Sequence, residues 1–544
     1  MSLSGRIRTS AITALVTGLG ALFAAGCGLL TTASPAAASS SLQSMFEIPN
    51  IGADPTDNLQ VLRYLGVDII RLPLVWNQVA ADPTSRVQPL TTPYPAANFA
   101  QFDAIVNAAH RLGIAVDLMP TGPAPLWATQ PNAPPTVSNS TGSIDYSGTF
   151  EPSASAYGQF MQAAAAHFSS VHFWEVWNEA NWGPSLTPQY LSGSPVPTSA
   201  KVYRGLLNAG WTALHNGGHA GDTIIIAGLS QDGSSPIGET GTTPPLTFTR
   251  TLYCLNGSYR PLTGAAASAA GCPTSKSSFK SANPALFSVS GLGLHPYPFG
   301  GKPPTKLDYP SKDGAEFAEI PQALKALDKM QKAYGSHKRM KIYNTEYAYR
   351  TRPNDTAHIF TSPNNAAKYV NQAEYLSWKN PRIATYDQYE LVDAGWFPTG
   401  LFFLPGTKAN RRSISYPKPS FYAYRVPVWL PVTSAKRGRS LEVWGGARAA
   451  RYARLDTNHQ QSAQIQFGSR ASGSFRTIKT VRITNPYGYF DVHVKFPGSG
   501  YVRLAWKYPS GDAGLTDFIA SVPGEPAALS SSQVYSRVTH IKLH

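Results

Sequence analysis

The sequence predicts an α/β protein: a (β/α)8 TIM barrel over residues 41–430, followed by a small all-β sandwich over 432–544. Three observations carry this. From about residue 44 to 430, short apolar runs of β type alternate with helical stretches and Pro/Gly-rich loops, the texture of βα units around a parallel sheet. The runs number eight, which suits a closed barrel. A doubly wound sheet, the rival, usually shows a Gly-rich phosphate loop early in the chain, and the sequence has none.

The elements follow in order. Gln43 to Ile48 is the first run. The amphipathic Asn58 to Leu65 leads into the second, Val67 to Pro73, and apolar Phe102, Ile105, Val106 and Ala109 at helical spacing precede the third, Gly113 to Met119. Val171–Glu179, Thr223–Gly228, Phe287–His295, Lys341–Glu346 and Ile383–Val392 complete the eight. Residues 231–284 read as the largest loop. After Tyr416-Pro-Lys-Pro419 the texture changes. Leu441–Trp444, Ala463–Phe467, Thr480–Ile483, Tyr489–Val494 and Tyr501–Trp506 alternate apolar and polar residues with no helix expected between them.

Composition bounds the function classes. Hydrophobic residues are 42% and charged residues 14%, so the disordered class is excluded. The net charge is +15, but residues 431–544 hold 15 Lys and Arg against 6 Asp and Glu, leaving the barrel mildly basic. Nucleic-acid binding needs a basic stripe, and no nucleic-acid partner is expected. A basic sandwich suits an acidic polysaccharide or an anionic cell surface. The simpler reading is a packing domain whose outward positions are Arg and Lys, with Trp444 packed inside it.

Residues 1–38 read as a secretory signal peptide: Arg6 and Arg8, an apolar stretch over 11–30, and small residues Ala36, Ala37 and Ala38 before Ser39. A retained membrane anchor is weakened by the Gly and Ala content of the stretch. Lipid attachment at Cys27 is disfavoured by Ala24, where Leu is usual. Beyond that segment only Cys254 and Cys272 remain, and in an oxidising compartment they suit one disulfide pinning the 231–284 loop.

The most specific string is His172-Phe-Trp-Glu-Val-Trp-Asn-Glu-Ala-Asn-Trp182. It puts Glu179 at the C-terminal end of the fourth strand, where barrel enzymes build their sites. Glu175 shares the inward face but lies about 13 Å deeper at ~3.3 Å per residue, so it needs a partner, and Arg71 at the end of the second strand is the candidate. Lys341-Ile-Tyr-Asn-Thr-Glu346 puts a second carboxylate at the end of the seventh strand. A lone strand-end Glu is usually a solvated loop residue. Two of them, flanked by aromatic and polar residues, form the pair that glycoside cleavage needs, one acid and one nucleophile or base.

On these strings the sequence resembles the clan A retaining glycoside hydrolases, in particular families 39 and 5, over the barrel region. The resemblance implies Glu179 as acid/base, Glu346 as nucleophile, and Asn178 as the holder of a sugar 2-hydroxyl. It further implies that Arg71 bonds the nucleophile and that His295 and Tyr297, in Leu294-His-Pro-Tyr-Pro298, sit beside it. Ala180 stands where many members have Pro, a departure that bears on family and substrate rather than mechanism. A cation beside Glu346 is expected to lower its pKa, and desolvation among Trp177 and Trp182 to keep Glu179 protonated. Trp76, Trp127, Trp182 and Trp396 are candidate stacking faces for sugar rings, Trp396 foremost.

The expected partner is an oligosaccharide, polysaccharide or simple glycoside, with no cofactor and no metal. His215 and His219 have metal-pair spacing, but two glycines between them argue against a rigid helical site. The alternatives are a transglycosylase of the same fold and a non-catalytic carbohydrate-binding cell-surface protein.

Overall fold

The computed structural model describes residues 41–544 apart from 50, 52–54, 140–141, 232, 234–237, 274, 299, 353–359, 396, 405–415 and 509–532. The signal-peptide and Cys27 expectations fall outside these residues.

Eight parallel strands close into a barrel: β1 (Gln43–Glu47), β2 (Ile69–Val75), β3 (Ala115–Thr121), β4 (Phe173–Asn178), β5 (Thr223–Ser230), β6 (Gly291–His295), β7 (Lys341–Asn344) and β8 (Ile383–Tyr389). Each pairs with its sequence neighbours, and β1 closes the ring against β8. Helices lie between successive strands, among them Pro55–Leu65, Ala100–Arg111, Ala154–His167 and Thr198–Asn216. All eight expected strands are present. The sixth is shorter than expected, because Ala285–Ser288, just after Pro284, turns helical and the strand begins only at Gly291. The segment expected as a loop over 231–284 contains the helices Pro245–Leu252, Gly264–Ala269 and Lys276–Ala282. Its Ala/Ser-rich composition sustains short helices as readily as loops. Cys254 and Cys272 are disulfide-bonded there, with Cys254 buried rather than on a surface loop.

The barrel interior is layered. Met45, Ile69, Phe173, Ile225, Tyr343 and Ala384 form an apolar floor. Two residues higher on their strands, side chains point inward again: Glu47, Arg71 and Asp117 stand opposite one another on β1, β2 and β3, and Glu175 follows on β4. The barrel is therefore plugged below and charged above.

The C-terminal region forms two small, mainly antiparallel sheets. One holds β9 (Ser440–Gly446) and β12 (Tyr489–Lys495); the other holds β10 (Ser462–Gly468), β11 (Arg476–Arg482), β13 (Gly500–Lys507) and β14 (Thr539–Leu543). They meet so closely that a Cβ on Gly445 would lie 2.4 Å from Leu504 Cδ1. The expectation of no helix here is corrected. Ala450–Thr457 is helical, built from Ala, Arg and Leu and ended by left-handed Asn458.

That helix docks on the barrel. Gly66, at φ +78, ends Pro55–Leu65, and a Cβ there would lie 2.3 Å from the Arg448 carbonyl carbon. Arg451 pairs with Asp68 at 2.5 Å, Arg448 with the fully buried Glu374 at 2.5 Å, and Tyr508 stacks on Tyr64 at 4.7 Å. Trp444 is fully buried against Tyr489, as the packing reading expected.

Candidate active site

Above the charged layer, the C-terminal ends of the strands open into a cavity of about 640 Å³. Glu179 follows directly on β4. Trp177 and Glu179 both have positive φ (74° and 40°), a conformation that costs of order 1–3 kcal/mol for a non-glycine residue. The surroundings hold it in place. Glu179 N donates to Gly228 O at 2.9 Å, Asn178 N to Thr121 Oγ1 at 3.2 Å, and Trp177 Nε1 to Ser185 O at 3.1 Å.

Arg71 organises the floor of the cavity. Its Nε donates to Glu175 Oε2 at 2.8 Å and its Nη2 to Glu175 Oε1 at 3.2 Å. Nη1 donates to both Glu346 Oε1 (2.6 Å) and Glu47 Oε2 (2.5 Å), and Nη2 also reaches Asn178 Oδ1 at 2.8 Å. Glu175 additionally accepts from the Gly228 backbone N–H. The partner that its depth demands is thus the expected one.

His295 links the two strand-end carboxyls. Its Nδ1 lies 2.9 Å from Glu179 Oε1 and 3.4 Å from Glu346 Oε2, and Tyr297 Oη donates to Glu346 Oε2 at 3.1 Å. Glycine makes room for the ring, since a Cβ on Gly228 would stand 2.2 Å from His295 Nε2. Burial lowers the His295 pKa to about 4, so the ring is neutral over most of the pH range. A neutral imidazole carries one proton. With carboxyl oxygens at Nδ1 and, among the described residues, no partner at Nε2, the proton belongs on Nδ1.

Burial pushes the Glu179 carboxyl up to about 7, with Arg71 pulling the other way. Burial does the same to Glu346, also to about 7, against the pull of Arg71. This corrects the expectation that the neighbouring cation lowers Glu346, because taking the carboxylate out of water outweighs it. Arg71 pulls on both carboxyls, but Arg71 and Tyr297 donate hydrogen bonds directly to Glu346, whereas among the described residues the side chain on Glu179 is His295. Glu346 is therefore the first of the two to ionise.

Of the residues picked out in the sequence, Glu179, Glu346, Asn178, Tyr297 and Trp182 line the cavity, and Arg71 and His295 support them. Trp127 does not line it. Its Nε1 donates to Ala81 O, and its ring packs edge-on against the fully buried Trp76, itself stacked on Phe160. Those two tryptophans serve packing. Trp396 lies outside the described residues, and its neighbour Phe397 lines the cavity with Tyr389. Glu47 was missed. It ends β1 as Glu179 and Glu346 end theirs, so the same strand-end argument would have found it. Asp117 and Asp387, buried beneath the site, were missed too: burial raises the pKa of both well above the ordinary carboxylate range.

No protein-family model matches the chain, and no curated protein does. Among solved structures it is similar to a family 39 glycoside hydrolase from the gut symbiont Bacteroides cellulosilyticus WH2, with a TM-score of 0.44, 13% identity, and coverage of 84% of this chain and 80% of that one. It is also similar to a family 1 β-glucosidase from Thermotoga maritima, with a TM-score of 0.42, 14% identity, and coverage of 68% and 84%. The β-glucosidase from Thermotoga maritima in complex with deoxynojirimycin gives a TM-score of 0.44, 14% identity, and coverage of 69% and 86%.

Proposed function

We propose that the protein is a retaining glycoside hydrolase, with Glu346 as nucleophile and Glu179 as acid/base. The carrying observation is the pair of carboxyls on one His295 nitrogen, at 2.9 and 3.4 Å. Those two distances bring one oxygen of each carboxyl within about 6.3 Å of the other, which supports the roughly 5–5.5 Å between carboxyl groups of a retaining pair over the roughly 6.5–9.5 Å of an inverting one.

The chemistry follows from the proton positions. Glu179 Oε1 accepts from His295 Nδ1–H, so its own proton sits on Oε2. Glu346, ionised against Arg71 and Tyr297, attacks the anomeric carbon as the bond to the leaving oxygen breaks and Glu179 protonates that oxygen. Glu179, now charged, takes a proton from water, which attacks the same carbon and releases Glu346. Trp182 and Phe397 offer faces to sugar rings at the cavity wall.

We also propose export, from the basic and apolar character of residues 1–38, and weak association of the basic C-terminal region with an anionic cell surface. Transfer to a sugar acceptor in place of water is the second reading, and product analysis at high sugar concentration separates the two.

The test uses an aryl glycoside with a good leaving group. Glu346→Ala abolishes turnover. Azide restores turnover to Glu179→Ala and gives a glycosyl azide with the substrate's anomeric configuration; an inverted azide overturns the assignment.

A further inference from the structure

The segments that enter β4 and β5, at the opposite rim of the barrel, bring together His172, His219 and Asp222. This is not the pair suggested by sequence spacing. His215 turns away, its ring packed against Trp211 and its Nδ1 on Trp211 O. His172, far off in sequence, takes its place.

The hydrogen bonds pose a problem of charge. His219 is buried, and its Nε2 lies 3.1 Å from Ala165 O. A carbonyl only accepts, so Nε2 carries the ring proton. A neutral His219 then aims the Nδ1 lone pair at Asp222 Oδ2, 2.6 Å away. A carboxylate oxygen also has only lone pairs to offer. Two acceptors at that distance need a proton between them; a metal ion takes the proton's place once the two atoms part to the roughly 3.3–3.6 Å of neighbouring ligands.

The rest of the cluster favours the ion. The other Asp222 oxygen, Oδ1, faces His172 Nδ1 at 2.9 Å. One ligand atom from each residue falls within 4.8 Å of the others, wider than the roughly 3.3–3.6 Å between ligands held tetrahedrally at about 2.0–2.2 Å, so the exposed His172 ring has to swing inward to close on an ion. The carbonyl on the far nitrogen of His219 is the contact that fixes the tautomer of a metal-bound imidazole, and Trp174 Nε1–H, 3.2 Å from Asp222 Oδ2, orients the carboxylate in turn. The His172 side chain is 73% exposed, which gives an ion a way in.

We propose that His172, His219 and Asp222 bind one divalent transition-metal ion of borderline softness, such as Zn²⁺, which clips together the entries of β4 and β5. Two imidazoles and a carboxylate are a zinc-type ligand set. The site stands roughly 20 Å from Glu179 along β4 at ~3.3 Å per residue, on the face of a barrel that serves stability rather than chemistry. The ion's effect is therefore read in stability.

The experiment titrates chelator-stripped, tag-free full-length protein with ZnCl2 by calorimetry and follows the thermal midpoint. The expected result is one ion per chain and a midpoint about 2–3 °C higher at free Zn²⁺ a hundred times Kd. His219→Ala and Asp222→Asn lose the one-to-one event, His172→Ala weakens it about tenfold or more, and His215→Ala leaves it unchanged. His172 is exposed, so its variant keeps the test decisive if a buried change prevents folding. Absence of a saturable one-to-one event in the wild type, or a His172→Ala affinity equal to the wild type, overturns the proposal. So does an equal loss in His215→Ala, which assigns the ion to the helical pair instead.

Discussion

Replacing Glu179 with Gln keeps the side chain's shape and removes its charge. Burial holds the carboxyl at about 7 against an ordinary value of 4.5, so ionisation is disfavoured in the folded protein. The sign follows. A raised pKa contributes stability that is complete below about 4.5 and is lost as the pH rises through about 7. Gln has no such loss. The variant should match the wild type near pH 4.5, move ahead of it between about 4.5 and 7, and hold a constant lead above that. At 1.36 kcal/mol per pH unit the ceiling is about 3.4 kcal/mol. The carboxyl opens to the cavity, with its side chain 15% exposed, which brings the expected gain to about 2 kcal/mol. With an unfolding entropy of about 2.1 cal/mol/K per residue, that is a rise of about 2 °C in the thermal midpoint at pH 8, and under about 1 °C at pH 5. Scanning calorimetry at the two pH values measures it. An equal midpoint difference at both refutes the claim that burial keeps Glu179 protonated.

Three further outcomes are expected. The pH profile of kcat/KM should be a narrow bell near 7, falling on the acid side as Glu346 gains its proton and on the alkaline side as Glu179 loses its own; a flat profile from pH 5 to 9 contradicts the assignment. Arg71→Met leaves Glu47, Glu175 and Glu346 without their shared cation and should cost about 3–5 kcal/mol in denaturant unfolding; unchanged stability would show that those contacts do not hold in solution. Arg448→Met strands Glu374, whose carboxyl burial raises to about 7. Its cost should be small at pH 5.5, where the acid is neutral, and grow to about 2–3 kcal/mol at pH 8.5, so a pH-independent cost argues against the buried pair.

The barrel was legible because each strand carries a compact apolar run and each helix a periodic face, both local signals. The two carboxyls proposed as the catalytic pair were legible because strand ends are where a barrel collects its chemistry, and Arg71 because the depth of Glu175 called for a cation. Trp127 and Trp76 misled because an indole in a loop looks the same in sequence whether it faces a sugar or Phe160. Glu47 ends β1 and was open to the same strand-end argument; what no local pattern encodes is its register with Arg71 across β1 and β2. The ionisation of Glu346 was misjudged for a related reason. A neighbouring cation can be guessed from sequence, but the extent of burial that opposes it cannot. The helix Ala450–Thr457 was hidden by the alternating strands on either side of it.

The docking of the C-terminal sheets on the first βα unit bears on how the chain is made. Tyr508 donates to Tyr64 O across 444 residues of sequence, and Asp68 meets Arg451 across 383. At ribosomal rates of about 5–20 residues per second, the outer face of Pro55–Leu65 waits roughly 20–90 s for its cover. During that interval Asp68 has no Arg451 and the ring of Tyr64 has no partner from the C-terminal sheets. The first barrel unit is among the last to be covered, so synthesis of the C-terminal sheets rather than barrel closure sets when that face is sealed.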